Sequence, residues 1–466
     1  MPITVPLTGN VYIDGLLYGG RRLSSNRVTY SFWSDESLDD ARGDIDRNDT
    51  AWLNYEVRAM RLGLEAWSNV ANINFVNTRS NNPNANFGFL LLNNSERSSN
   101  ILGSFGIPVV SDELVGYFNT RANSWNPSGV RPGGLGFVTI IHEIGHGLGL
   151  AHPHDNDSGS RLFPGVFSQN DRGTHGLNQG VWTTMTYNDG LNGRGYQSTP
   201  MALDIAAIQR LYGANMSHNT GGNTYSLPTR NGPGTSYFSI WDAGGYDTIS
   251  ARNATDSAVI NLNSAPLSGP NAGGYLSSVS QVDGGSTIAN GVVIERAIGG
   301  FSHDRLIGNS ASNVIVGNEG NDVLTGHGGN DVLSGGTGND LLIGHQGNDI
   351  LNGGSGHNRL HSGVGYDVFY FSVLDRAIDT ILDFNPAADY IDVNARAFGF
   401  GSQRGILATQ YFRLGARALD SNDRFIYNRQ SGILFFDADG VGGAGQIGLA
   451  RLANRALLRH SDFRLV

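Results

Sequence analysis

Residues 317–352 read GNEGNDVLT, GHGGNDVLS, GGTGNDLLI, GHQGNDILN: four nine-residue units in one register. Extending the frame outward adds GGFSHDRLI and GNSASNVIV on the N-terminal side, from Gly299, and GGSGHNRLH and SGVGYDVFY on the C-terminal side, to Tyr370. Eight units thus keep one period, with Asp or Asn at every sixth position. A strict period over that many units marks a stacked repeat and argues against a disordered Gly-rich linker.

The residue types say what the stack is for. The pattern G-G-x-G-x-D-x-U-x is a β-helix repeat that binds Ca²⁺. Glycine permits a tight turn whose carbonyls face a hard cation, and Asp adds a carboxylate. The closing x-U-x is a short strand with its apolar U residue in the core. Two units make one coil, so residues 18 apart stack. Asp304, Asp322 and Asp340 then line one edge, and Asp331, Asp349 and Asp367 the other. Candidate carbonyl donors are Gly317, Gly320, Gly326, Gly328, Gly329, Gly335, Gly338, Gly344 and Gly347. Asn313 and Asn358 replace the carboxylate in two units.

The rest of the chain is ordinary in composition up to about Gly213. Val57–Val70, Phe137–Leu148 and Asp204–Tyr212 have the apolar spacing of helices, and Gly213 stops the last. Ala85–Leu92 and Leu114–Thr120 read as strands. A Ser-, Asn- and Gly-rich stretch follows Ala214. These features predict a short leader or arm at 1–10, a catalytic domain at 11–215 and a β-roll domain at 216–466.

The net charge is −10 with no Lys at all, which disfavours nucleic-acid binding. The absence of Cys excludes disulfides and thiolate ligands. MPITVPLTGNVYIDG lacks the basic and apolar regions of a cleaved signal peptide. No apolar run approaches the ~18 residues that a membrane span needs.

Residues 142–152 read HEIGHGLGLAH. His142 and His146 are four apart, a rotation of about 40° on a helix, so both rings share a face. Glu143 lies about 100° round from His142, within reach of a metal-bound water. His152 would point roughly 240° from His146 on a continuing helix. The chain must therefore turn, and Gly149 supplies the freedom. Three imidazoles with an open fourth position describe a catalytic zinc site. These five fixed positions arise by chance less than about once in ten thousand such chains.

The signature resembles that of the metzincin proteases, which carry a later Met-turn. Met185 in VWTTMTYNDG is the matching residue, with Tyr187 two positions on. TYSF, LEAWSNVANINF, HEIGHGLGLAHP, TTMTYNDG, DIAAIQRLYGAN, SIWDAGGYDTI and VVIERAIGG resemble serralysin sequence in the same order. The resemblance implies an α+β metzincin-type catalytic domain followed by an all-β parallel β-roll (RTX) domain. It implies a secreted zinc endopeptidase, with one zinc and several structural calcium ions. His142, His146, His152 and Tyr187 would hold the zinc. Glu143 would be general base, and Tyr187 would swing to stabilise the transition state. A peptide substrate is expected to pair with an edge strand above the site, for which Ala85–Leu92 is the candidate. His154 and His175 match no ligand position and are expected at the surface or in loops.

The resemblance also implies calcium positions outside the repeats. Asp242, Gly244 and Asp247, with carbonyls near Arg230 and Gly232, match one site; Glu295 with Asp247 matches another. Export would run through an ABC-type exporter that reads the C-terminus, where Asp462 and Phe463 fit and Arg464 interrupts the apolar run. The expected partners are polypeptide substrates, the exporter and a proteinaceous inhibitor, for a monomer acting outside the cell. The competing reading is a calcium-dependent RTX binding or adhesion protein with a vestigial protease domain. The presence of all six expected catalytic residues argues against it.

Overall fold

A computed structural model describes residues 1–34, 51–92, 101–156, 159–190 and 195–466. The described chain is mostly β with few helices. The helices are α1 (Val11–Gly15), α2 (Asn54–Val70), α3 (Leu135–Gly147) and α4 (Ala202–Tyr212). All three helices expected from the sequence are present, each starting two or three residues earlier than its apolar spacing indicates. In α2 and α4 the first turn is set by capping: the Glu56 and Asp204 carboxylates reach back to the Leu53 and Met201 N–H groups.

The first sheet holds β1 (Arg27–Trp33), β2 (Asn74–Asn77), β3 (Phe87–Leu92), β4 (Gly103–Phe105) and β5 (Leu114–Asn119), in the order β2-β1-β3-β5-β4. All pairs are parallel except β4, which runs antiparallel along β5 and forms one edge. This corrects the expectation for Ala85–Leu92. Within it, β3 is central, hydrogen-bonded on both sides and buried at all six residues. The continuous apolar run FGFLLL is the mark of a strand covered on both faces, not of an edge.

Helix α3 is buried along almost its whole length and packs on α2. Their approach is close: a Cβ at Gly63 would lie 2.5 Å from Ile140 Cγ2. Trp67 of α2 donates its indole N–H to the Ile141 carbonyl at 3.0 Å, which fixes the two helices in register. The N-terminal arm is docked. Ile3–Thr4 pairs with Arg21–Arg22, and the fully buried Asp14 accepts from Thr8 and Gly9.

Beyond Thr224 most of the chain winds into two large sheets whose strands pair in parallel through the repeats and partly antiparallel at the ends, consistent with a β-roll. Strands alternate between the sheets, and partners in each are 18 residues apart: Val314 pairs with Val332, and Val323 with Leu341. Leu306, Ile315, Leu324, Leu333, Leu342, Leu351, Leu360 and Phe369, one from each unit, form the buried seam. The nine-residue alternation thus places every U residue inside. The two halves of the chain are joined, since Tyr196–Gln197 pairs with Ser236–Tyr237 and one apolar cluster runs through both. The final strand, Phe463–Leu465, lies in the roll, where Arg464 forms a bidentate ion pair with Asp392. No described helix is long and apolar enough to cross a membrane.

Candidate metal centre

Helix α3 carries His142 and His146 on one face, both nearly buried. After Leu148 the chain reverses at Gly149, whose φ of +105° is the left-handed conformation its position requires. A Cβ there would collide with the Arg21 carbonyl. This turn carries His152 back over the helix. The three Nε2 atoms converge, 3.0 to 3.1 Å from one another.

Each ring is oriented through its other nitrogen. His142 Nδ1 donates to the Thr184 carbonyl at 2.8 Å, His146 Nδ1 to the Leu150 carbonyl at 2.9 Å, and His152 Nδ1 to Asp155 Oδ2 at 2.7 Å. With all three protons on Nδ1, three Nε2 lone pairs face one point. Such an arrangement repels itself unless a cation lies among the nitrogens. Ligands about 2.0–2.1 Å from a tetrahedral zinc sit about 3.3 Å apart, close to the spacing seen. The donor set therefore fits zinc. Burial pushes His142 well below its ordinary pKa and His146 down to about 3, which keeps both in the neutral, ligating form.

Asp155, Thr184 and Leu150 were not singled out by sequence reasoning. Backbone carbonyls leave no signature in a sequence. Asp155 left one, a carboxylate three residues after a ligand. Such outer partners commonly set the tautomer of metal-binding histidines.

Glu143 lies beside the ligands, nearly buried, and accepts the Phe105 N–H. Burial pushes its carboxyl up to about 8, against the lowering effect of that hydrogen bond. A divalent cation among the histidines would favour its ionised form again. Met185 is fully buried under α3, with Sδ 2.8 Å from where a Cβ of Gly145 would sit. Tyr187 stacks on His142 at 5.6 Å and tilts onto His152 at 4.6 Å. Burial first, then the charges of Glu143 and Asp155, push its hydroxyl up to about 12.

A cleft of about 560 Å³ opens over these residues, with His142, Glu143 and Tyr187 in its wall. Ile101, Leu102 and Gly103, at and just before β4, form one side. The edge strand beside the site is thus β4, too short for a recognisable alternation. His175 is exposed, as expected. His154 lies in a loop, as expected, but not at the surface: its side chain is only 13% exposed and lies flat on His152, with ring centroids 4.8 Å apart.

The repeat aspartates form a second candidate site. Asp322 Oδ1 accepts the N–H of Asp304, and Asp340 Oδ1 that of Asp322, each at 2.8 Å. On the other edge, Asp331, Asp349 and Asp367 continue the same ladder from Asn313. In five of these aspartates (Asp322, Asp331, Asp340, Asp349 and Asp367) Oδ2 is buried and has no hydrogen-bond partner. A Cβ at Gly317 or Gly335 would run into the Oδ2 of Asp322 or Asp340 and into a glycine carbonyl of the next coil. Orphaned carboxylate oxygens gathered with backbone carbonyls are an oxygen set that fits calcium. Burial, the largest cause, pushes Asp322 and Asp331 up to about 7, and Asp340 and Asp349 up to about 6.

The departures are informative. Both oxygens of Asp304 are taken by the N–H groups of Ala258 and Gly300. Asn313 is satisfied by Asn309 and by the ladder. Asp379 and Asp389 extend the two ladders past the repeats, taking the N–H groups of Asn358 and Asp367. Upstream, Glu295 accepts the Asp247 N–H at 2.8 Å, and Asp247 Oδ2 is again an orphan. Asp242 accepts from Gly244 N–H and the Tyr225 hydroxyl. The Arg230 and Gly232 carbonyls accept from Thr235 inside their own turn, and no described hydrogen bond links that turn to Asp242.

Residues 202–404 match the family model for the peptidase M10 serralysin C terminal. A serralysin of Photorhabdus laumondii is 35% identical over 267 residues, 53% of this chain and 51% of that protein. Metallopeptidase AprA of Pseudomonas marginalis is 34% identical over 263 residues, 52% of each chain. Serralysin G of Dickeya chrysanthemi is 32% identical over 315 residues, 64% of this chain and 61% of its own. The chain spans about half the length of the first two relatives. The repeats, the histidine cluster and these matches together support placing the chain with the serralysin family.

Proposed function

We propose that this chain is a secreted zinc-dependent endopeptidase that cleaves peptide bonds in extracellular proteins. One observation carries the reading: three Nε2 lone pairs converge beside a buried carboxylate, at the wall of an open cleft. His142, His146 and His152 would hold the metal, with Tyr187 as a further ligand. When bound, zinc supplies a Lewis acid that polarises the scissile carbonyl and acidifies water. Glu143 takes the proton of the attacking water and returns it to the leaving amine. Tyr187 donates its hydroxyl hydrogen to the developing oxyanion. The cleft beside β4 receives an extended peptide, whose backbone pairs with that edge.

Calcium would fold and rigidify the roll outside the cell, and export would use the C-terminal strand. The relatives' names, serralysin and metallopeptidase, support this class of activity. Casein degradation tests it: full activity with zinc, loss on adding a zinc chelator, and recovery on restoring zinc are expected. A zinc-loaded, folded chain that leaves casein and other unfolded proteins intact would point to the adhesion reading instead.

A further inference from the structure

Tyr187 is 57% exposed, yet its ring is confined by three imidazoles. Two belong to the metal-site histidines His142 and His152. The third is His154, with ring centroids 5.2 Å apart at 47°. His154 lies almost parallel to His152, at 16°, so it braces the ligand and the tyrosine together. It is largely buried, its Nδ1 has no hydrogen-bond partner, and its Nε2 stands 3.8 Å from Asp155 Oδ1. Among the described residues no hydrogen bond holds the Tyr187 hydroxyl. Its aim therefore depends on how the ring is packed.

We propose that His154 is a positioning residue for Tyr187. Its imidazole forms the outer wall against which the phenol rests while it faces the metal site. The role needs a flat ring of that size, not a metal ligand or a proton carrier. Removing the ring frees Tyr187 to swing outward, and the oxyanion donor is then misplaced part of the time. Misplacement of a reacting group by about 1 Å costs up to about a hundredfold in rate, so a loose tether should cost about tenfold. This inference rests on the reading of Tyr187 as metal ligand and oxyanion donor.

The test uses the full-length chain with His154→Ala, His154→Phe, Tyr187→Phe and the double variant His154→Ala/Tyr187→Phe. The first readout is independent of turnover. Copper(II) takes the same nitrogen donors as zinc. In a copper(II)-loaded chain a bound phenolate gives a visible charge-transfer absorption. We expect this band in the parent, its loss in Tyr187→Phe, weakening in His154→Ala and recovery in His154→Phe. The second readout is zinc turnover. His154→Ala should lower kcat about tenfold at unchanged KM, with zinc content intact, and His154→Phe should restore it. Added to Tyr187→Phe, His154→Ala should cost nothing further.

An unchanged band and kcat in His154→Ala would overturn the proposal. So would an equal loss in the Tyr187→Phe background, or a loss of zinc content, which would make His154 a brace for His152 alone. If the parent shows no band and Tyr187→Phe keeps its kcat, the reading of Tyr187 fails first and the inference falls with it. That pattern differs from every other.

Discussion

Asp204 Oδ2 accepts both the backbone N–H of Thr184, at 2.6 Å, and its hydroxyl, at 2.8 Å. The Thr184 carbonyl in turn receives Nδ1–H of His142. The same carboxylate takes the Thr183 hydroxyl and the Met201 N–H, so the start of α4 is tied to the Met185 turn. Asp204 is fully buried and reaches the metal site only through Thr184. Asp204→Asn keeps the volume but removes the charge and one of the two oxygens that accept from Thr183, Thr184 and Met201. It should weaken zinc binding about 10- to 100-fold, as loss of an outer partner does elsewhere. Competition with a chromophoric chelator measures this. Unchanged affinity in a folded variant would sever the link from Asp204 to His142.

Glu143→Ala should retain zinc and lose activity by at least ~10²-fold, the usual scale for a general base. Near-normal turnover with zinc bound would remove Glu143 from the mechanism.

Gly103 allows a second, gentler test of the same carboxylate. A Cβ at this position would stand 2.8 Å from Glu143 Cγ and 3.0 Å from Thr139 Cγ2. Gly103→Ala must therefore push Glu143 aside or move β4. Zinc content should hold while kcat falls about tenfold, since a displaced base loses alignment. Gly103→Ala with parental kcat and KM would show that Glu143 has slack.

Tyr187→Phe removes only the hydroxyl from a ring that stays packed on His142 and His152. Loss of one oxyanion donor costs about 10²–10³ in kcat in other enzymes. The loss here should fall on kcat and spare KM. A change confined to KM would make Tyr187 a substrate-binding residue.

The convergence of His142, His146 and His152 was legible because it is set by local geometry: one helical turn, then one glycine reversal. What fixes those ligands was not. Asp204 is 20 residues from Thr184, and the tie exists only once α4 docks. Likewise the seam of the roll could be read from one period, because every coil repeats the last. The ladder beyond it could not: Asn358 meets Asp379 and Asp367 meets Asp389, offsets of 21 and 22 where the repeats use 18. Insertions in the connecting turns broke the period without breaking the stack. The misassigned edge strand has a similar origin. The most apolar segment was the easiest to see as a strand, and for that reason it was the central one.

The roll should depend on calcium, and without calcium it should depend on pH. In the cation-free chain, Asp322 and Asp331 are pushed up to about 7, and Asp340 and Asp349 up to about 6. Burial is the main cause, and Asp322 is raised further by its ladder neighbours Asp304 and Asp340. The unfolded value is about 3.9. Each folded pKa is raised, so protonation favours the folded state. That stabilisation is complete below about pH 3.9 and is lost as pH rises through about 6 to 7. Bound calcium would replace the protons by neutralising the same oxygens. Circular dichroism of the full chain in excess chelator should therefore show β signal increasing as pH falls from about 8 to about 5. With calcium at the ~10⁻³ M of extracellular sites, the signal should be full and flat across that range. A chelated chain whose β signal is complete at pH 8 would mean that the stacked carboxylates need no cation, and that calcium decorates a roll which forms without it.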